Sequence, residues 1–285
     1  MHIPLSRGVM CVLLSLAFST SSGQEPSFRV AGTSVISKDD GLIAETHKYY
    51  QREETTLFSL VTVTADLGAW ALQVLVPAAD KPPGYADLTG LPLEEYASWT
   101  KAKVVLSGGY FSSYSPPRAL GLVYKEGKVI SKLHHSWLTN AVLCIDDRNN
   151  ANIVYINEHQ APAPNSNCLQ AGPMLVFDRK VAFTTEEATS SVGKSLMSGL
   201  QEQSFICISD HGQVVMGVSE ATSLELLEQI LAGEREKGGL SCKAAMRLTG
   251  SVSAGLYIDG KLHVGNGDIL LPDALSLSRR ESRAR

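Results

Sequence analysis

Short apolar segments rich in β-branched residues, separated by turn signals, recur along most of the sequence. Residues 57–64 partly alternate apolar and polar side chains, which favours a strand with one wet face. Many short strands joined by turns are typical of antiparallel sheets. One helix is clearly indicated, beginning at Ser223 and ending near Gly233. We therefore predict an α+β fold with a mixed, largely antiparallel β-sheet core and a few helices in a single domain.

The beginning of the chain has the pattern of a targeting segment. Arg7 precedes an apolar run over residues 9–18, and a small polar stretch follows. This order is typical of a secretory leader, and the run is too short to cross a bilayer as a permanent helix. We expect a signal peptide over residues 1–23, a domain over residues 27–278 and a basic tail over residues 279–285. The mature protein is then exported, either periplasmic or secreted, with no stable membrane span.

Removing such a leader leaves four of the five cysteines: Cys144, Cys168, Cys207 and Cys242. An even number in an exported chain permits two disulfides. The sequence leaves three connectivities open, and bridges are possible but not required. None of the spacings is that of a zinc site. We predict no metal and no cofactor, although the oxygen ligands of a hard cation leave no spacing signature.

The charge pattern argues against nucleic acid as a partner. The 285 residues include 25 Lys and Arg and 29 Asp and Glu, a net charge of -4, with the cations dispersed along the chain. Phosphate-backbone binding needs cations clustered on one face. The common motifs of serine hydrolases, zinc proteases, P-loop proteins and dinucleotide-binding proteins are absent as well. These observations alone leave the substrate class open.

Two predicted strands end in small, flexible residues. One strand runs into Ser107, Gly108 and Gly109, and another runs into residues 249–253, Thr-Gly-Ser-Val-Ser. Backbone N–H groups at such turns, together with Ser and Thr hydroxyls, can bind an oxyanion or a phosphate. If the two ends converge, they form one anion site. A tight turn alone would also explain the glycines.

Five segments also occur in a characteristic order: Leu106–Phe111, Leu120–Val123, Gln170–Leu175, Gln203–Ile208 and Ala245–Ser253. This order resembles that of the phosphodiester glycosidase family. The resemblance extends over about residues 55–275. It implies a mixed α/β domain with a surface cavity, a small-molecule or glycan substrate, and the hydrolysis of a sugar from a sugar-phosphate diester.

The resemblance also implies which residues form the site. It implies catalytic roles for Thr249, Gln203 and Ser107. It implies substrate binding by Gly108, Gly109, Tyr110, Arg247, Gly250, Ser251 and Ser253.

Several polar side chains differ from the family pattern. Ser107 stands where the family has Asn, Gln203 where it has Arg, and Thr249 where it has Asp. The loss of Asp removes a possible acid or base, and the loss of Arg removes a cation that could bind phosphate bidentately. Arg247 could supply that cation from another direction. Two hypotheses follow: an exported phosphodiester glycosidase-like hydrolase, or a catalytically inactive family member that binds a glycan or phosphosugar.

Overall fold

The computed structural model describes residues 27–51, 57–156, 162–182 and 191–280. Strands dominate it, and the strand pairings recorded within these ranges are antiparallel. The predicted α+β class with a largely antiparallel core is confirmed.

The largest sheet has eight strands in the order β1-β2-β3-β16-β15-β17-β13-β14. In that order the strands span Phe28–Asp39, Leu42–Gln51, Leu57–Ala65, Val214–Thr222, Gln201–Ser209, Cys242–Gly250, Met174–Phe177 and Lys180–Val181. β15 and β16 are consecutive strands and form an antiparallel hairpin.

Two five-stranded sheets and a short ribbon complete the described strands. The order β19-β18-β5-β20-β4 spans Lys261–His263, Leu256–Ile258, Val104–Ser107, Ala274–Arg279 and Trp70–Leu75. The order β11-β10-β12-β8-β9 spans Ala151–Tyr155, Ala141–Ile145, Asn167–Ala171, Val123–Lys125 and Lys128–Ser131. The ribbon pairs β6, Phe111–Tyr114, with β7, Pro117–Ala119.

Helices in the described ranges are short. They are α1 at Pro77–Asp80, α2 at Leu93–Thr100, α3 at Ser191–Ser198 and α4 at Leu224–Ala232, with 3-10 turns at Trp137–Thr139, Arg235–Lys237 and Ser251–Ser253. Pro77 occupies the first turn of α1, where its missing N–H would have no partner within the helix. The predicted N-cap of α4 is confirmed, since the Leu226 N–H donates to Ser223 Oγ at 3.2 Å.

The eight-stranded sheet is packed on both faces. On one face, Val63 and Ile206 join a core shared with the two five-stranded sheets. On the other face, Leu60 and Phe205 pack in a second cluster with the apolar side of α4. The prediction of a wet face on β3 is therefore wrong, because α4 and the turn that follows it cover the side that was expected to meet water.

Two disulfides resolve the pairing that the sequence left open. Cys144 in β10 is bonded to Cys168 in β12, with an S–S distance of 2.02 Å. Cys207 in β15 is bonded to Cys242 in β17 at 2.00 Å. Each bridge joins neighbouring strands of one sheet. Disulfides of this kind persist in oxidising compartments, so the pairing is consistent with export.

The C-terminal strand continues into the segment predicted to be a basic tail. Arg279 belongs to β20, lies over the Trp70 ring and donates from Nη2 to Asp40 Oδ2 at 3.0 Å. Arg280 donates to the Leu67 carbonyl at 3.1 Å. The remaining tail residues and the predicted signal peptide lie outside the described residues. Within the described part of the chain, no helix is long and apolar enough to cross a membrane.

Candidate anion-binding site

The structure brings the two glycine-containing strand ends together. The Thr249 N–H donates to the Gly108 carbonyl at 3.0 Å, which joins the end of β17 to the end of β5. Gln203, near the start of β15, pairs in register with Gly250. Segments that are distant in the sequence thus meet at one place because β15 and β17 are neighbours in the large sheet.

Arg247 lies at the centre of this place. Its side chain is buried, and the residue is only 3% exposed. Its Nε donates to Gln203 Oε1 at 2.5 Å, and its Nη1 donates to the Tyr110 hydroxyl. The guanidinium carbon also lies 5.3 Å from the centre of the Tyr110 ring. The guanidinium therefore lies against Gln203, the residue for which the family resemblance predicts Arg.

The partners of this guanidinium are neutral. Gln203 contributes an amide oxygen, and its Nε2 donates to the Thr222 carbonyl at 3.4 Å. Burial raises the pKa of Tyr110, although Arg247 opposes the shift, so the phenol stays protonated and donates to the Gly172 carbonyl at 2.8 Å. In residues 27–51, 57–156, 162–182 and 191–280, no carboxylate lies within 4.0 Å of the Arg247 guanidinium.

Gly250 makes room for this cation. A Cβ placed on Gly250 would lie 2.0 Å from Arg247 Nη2. Any larger residue would therefore push the guanidinium away from its present position. Neighbouring Thr249 and Ser253 are buried, at 3% and 6% exposure, whereas Ser251 is exposed.

Ser107 is the last residue of β5 and is fully buried. Its Oγ is 2.7 Å from Ser204 Oγ and accepts the Gly255 N–H at 3.1 Å. These bonds tie β5 to β15 and to the segment that follows β17. The hydroxyl thus holds three elements of the site in place.

Asp273, just before β20, is a component of the site that the sequence reasoning missed. Its Oδ1 accepts the Gly109 N–H at 2.7 Å, and the residue is only 1% exposed. Oδ2 is buried and has no hydrogen-bond partner among the described residues. Burial raises the pKa of this carboxyl to about 7, and the Gly109 hydrogen bond opposes the shift only in part. The sequence offered only one hint of this role, namely that Asp273 is an acidic residue between Pro272 and an apolar strand.

Position 108 requires a glycine because Asp273 lies very close to its Cα. A Cβ at Gly108 would lie 2.0 Å from Asp273 Oδ1 and 2.6 Å from the Asp273 carbonyl oxygen. Because that carbonyl is a backbone group of the residue just before β20, a side-chain rotation cannot relieve the clash. We expect Gly108→Ala to lower the free energy of unfolding by about 3 kcal/mol, the upper part of the usual overpacking range.

Denaturant unfolding of the Gly108→Ala variant would measure this loss. Gly32→Ala is the matched control, because a Cβ at Gly32 meets nothing within 4 Å. Equal stability of the two variants would contradict the close approach of Asp273 to Gly108.

Metal binding has no obvious location in this region. Among the residues that the structure describes, no group of three or more His, Cys, Asp or Glu side chains is placed to hold a metal ion.

Comparison with known proteins identifies the family. The family model for phosphodiester glycosidases matches residues 100–275. The chain belongs to the phosphodiester glycosidase family, as the order of its motifs indicated. No curated protein sequence matches significantly.

Solved structures with a similar fold include the catalytic domain of zebrafish N-acetylglucosamine-1-phosphodiester alpha-N-acetylglucosaminidase, auto-inhibited by its pro-peptide. It is 16% identical with a TM-score of 0.63, over 90% of this chain and 85% of that one. A hypothetical protein from Synechocystis is 14% identical with a TM-score of 0.62, over 87% of this chain but only 64% of that one. A putative exported protein from Burkholderia pseudomallei is 11% identical with a TM-score of 0.53, over 78% and 74%.

Proposed function

We propose that the protein is an exported hydrolase that cleaves a sugar from a sugar-phosphate diester, with Arg247 as the group that binds the phosphate. In this reaction water adds to the anomeric carbon, the bond from that carbon to the phosphate oxygen breaks, and a phosphate monoester leaves. The leaving group gains negative charge as the bond breaks. A fixed cation near it would stabilise the transition state more than the substrate.

The observation that carries this proposal is the burial of Arg247 among neutral partners. Burying a guanidinium is costly unless an anion compensates its charge. Gln203 and Tyr110 occupy Nε and Nη1 but bring no charge. Arginine binds phosphate well because its planar fork can form two parallel hydrogen bonds. A phosphodiester is therefore a fitting anion for this position.

The other site residues take different roles in this proposal. Gln203 and Tyr110 are positioning residues, since they hold the guanidinium. Ser107 is also a positioning residue, because its hydroxyl is engaged with Ser204 and Gly255. Thr249, whose backbone is fixed against Gly108, is the candidate for contact with the sugar or the attacking water.

Sugar binding without turnover is the second candidate function, and one observation favours it. Most glycosidases use two carboxyl groups beside the scissile bond. Asp273 is the carboxyl bonded to the Gly108–Gly109 turn, and its Oδ1 already accepts the Gly109 N–H. Among the described residues, no carboxylate at all lies within 4.0 Å of the Arg247 guanidinium. A binding protein would need only the cation and the surrounding hydrogen-bond donors.

An assay with defined diesters separates the two candidates. The purified protein is incubated with the methyl phosphodiesters of glucose-1-phosphate, mannose-1-phosphate and N-acetylglucosamine-1-phosphate, and the released sugar is measured. We expect release from at least one diester. Saturable binding without release would favour the binding protein, and neither binding nor release would contradict both candidates.

Export is part of the same proposal. It is supported by the predicted leader and by two disulfides in the folded chain.

A further inference from the structure

A cavity lined by both apolar and polar side chains lies on the helix-covered face of the large sheet. It has a volume of about 560 Å³ and lies between strands β1, β2 and β3 and the turn that follows α4. Cavities that bind small molecules generally measure about 300–1,000 Å³. The cavity is thus large enough for a molecule of one or two sugar rings.

Hydroxyl and imidazole groups form the floor of this cavity. Thr62 and Thr64 are buried, at 1% and 8% exposure. The His47 ring lies between two hydroxyls, with Nδ1 at 3.2 Å from Thr33 Oγ1 and Nε2 at 3.0 Å from Thr62 Oγ1. Farther along β3, Leu60 packs on the same face in an apolar cluster. The Thr62 and His47 side chains can be buried because they are hydrogen-bonded to each other, and they give the cavity hydroxyl and imidazole groups that a polar ligand can bond.

The charges around the cavity balance. Two arginines and two carboxylates line it: Arg29, Arg235, Glu45 and Glu236. Lys237 also lines it, but its Nζ is paired with Glu234 Oε2 at 2.8 Å. Burial lowers the pKa of His47, reinforced by Arg235 and opposed by Glu45, so the imidazole is neutral at neutral pH. A balanced set of charges gives no net attraction for an anion or a cation, while each group can still bond a hydroxyl.

This cavity is separate from the Arg247 cluster. Across the sheet, Thr62 pairs with Gly217, Gly217 with Phe205, and Phe205 with Arg247. Three strand spacings separate Thr62 from Arg247, or about 14 Å. The fully buried Phe205 ring lies over Gly217, where a Cβ would be 2.2 Å from the ring. The Phe205 ring therefore lies between the cavity and the Arg247 cluster.

We propose that this cavity binds a neutral mono- or disaccharide at a site distinct from the one around Arg247. The sugar hydroxyls bond the Thr62, Thr64 and His47 side chains on the floor and the arginines and carboxylates on the walls. The proposal does not depend on hydrolysis at Arg247.

Saturation-transfer NMR and calorimetric titration test the proposal. The probes are glucose, galactose, mannose, N-acetylglucosamine, maltose and lactose, with inorganic phosphate as the competing anion. We expect saturable binding of at least one sugar, no competition by phosphate, and at least about tenfold weaker binding by Thr62→Val, because a bonded hydroxyl is lost from a buried site. The matched control is Thr46→Val, since Thr46 lies on the opposite face of β2 from His47.

Two further variants keep the test decisive. Arg235→Ala changes an exposed residue of the turn, so it should weaken binding at least threefold even if Thr62→Val fails to fold. Arg247→Met should leave sugar binding at the cavity unchanged. The proposal is overturned if no sugar binds, if phosphate displaces the sugar, or if Arg247→Met abolishes binding while Arg235→Ala does not change it.

Discussion

Replacing Arg247 by Met is expected to reduce kcat/KM for a sugar-phosphate diester by about 100- to 1,000-fold. The magnitude is that of losing a preorganised donor to a developing negative charge. Met retains the apolar length of the side chain, so packing beside Tyr110 is largely kept. If the protein binds the diester without turnover, the same variant should weaken binding strongly, because the phosphate loses its cation.

Lys243→Met is the matched control for this substitution. It removes one positive charge from the same strand, but Lys243 is exposed. We expect its activity to stay within about twofold of wild type, since an exposed charge is screened by solvent. Arg247→Lys should recover only part of the loss, because an ammonium lacks the bidentate fork. Equal activity of Arg247→Met and Lys243→Met would remove Arg247 from the site.

Asp273→Asn is expected to make the protein more stable above pH 7, by up to about 4 kcal/mol. The folded carboxyl has a pKa of about 7, compared with 3.8 in the unfolded chain. Between these two values the unfolded chain releases the proton and the folded chain keeps it, so wild-type stability falls as pH rises. Below pH 4 both states are protonated, and the variant should match wild type. The amide keeps an oxygen for the Gly109 N–H.

Urea unfolding at pH 4, 6 and 8 would measure the difference between Asp273→Asn and wild type. Glu228→Gln in α4 is the matched control, because burial also raises the pKa of Glu228, to about 8, and the residue is 4% exposed. It should stabilise the protein at high pH in the same way, at a position outside the anion site. A constant difference between Asp273→Asn and wild type across this pH range would show that Asp273 does not titrate near neutrality.

The local elements could be predicted because their signals are local. The periodicity from Ser223 to Gly233 predicted α4, and turn residues separated most strands correctly. The division of the described strands into three large sheets and a two-stranded ribbon could not be predicted, since β15 pairs with β17 across more than thirty intervening residues. The burial of Thr62 was missed for a related reason. Alternation shows that a strand has a polar face, but whether water or a cavity meets that face depends on α4 and the turn after it.

The candidate site was predictable where motif order supplied information. The sequence left open whether the two strand ends converge, and the structure joins them through Thr249 and Gly108. The exchange of Arg for Gln at 203 looked like a loss, yet the structure places the Arg247 guanidinium on the Gln203 amide. Asp273 was missed because one acidic residue before a strand has no distinctive spacing. Its importance comes from burial and from contact with Gly109, which only the fold creates.

Titration of a sugar-phosphate diester followed by phosphorus NMR tests most directly whether Arg247 binds the phosphate. The methyl diester of N-acetylglucosamine-1-phosphate is titrated with wild type, Lys243→Met and Arg247→Met at low temperature, so that binding is observed before turnover. We predict a saturable shift of the phosphorus resonance with wild type and Lys243→Met, and none with Arg247→Met at the same concentrations. A shift of equal size and affinity with all three proteins, or no shift with wild type, would contradict the account.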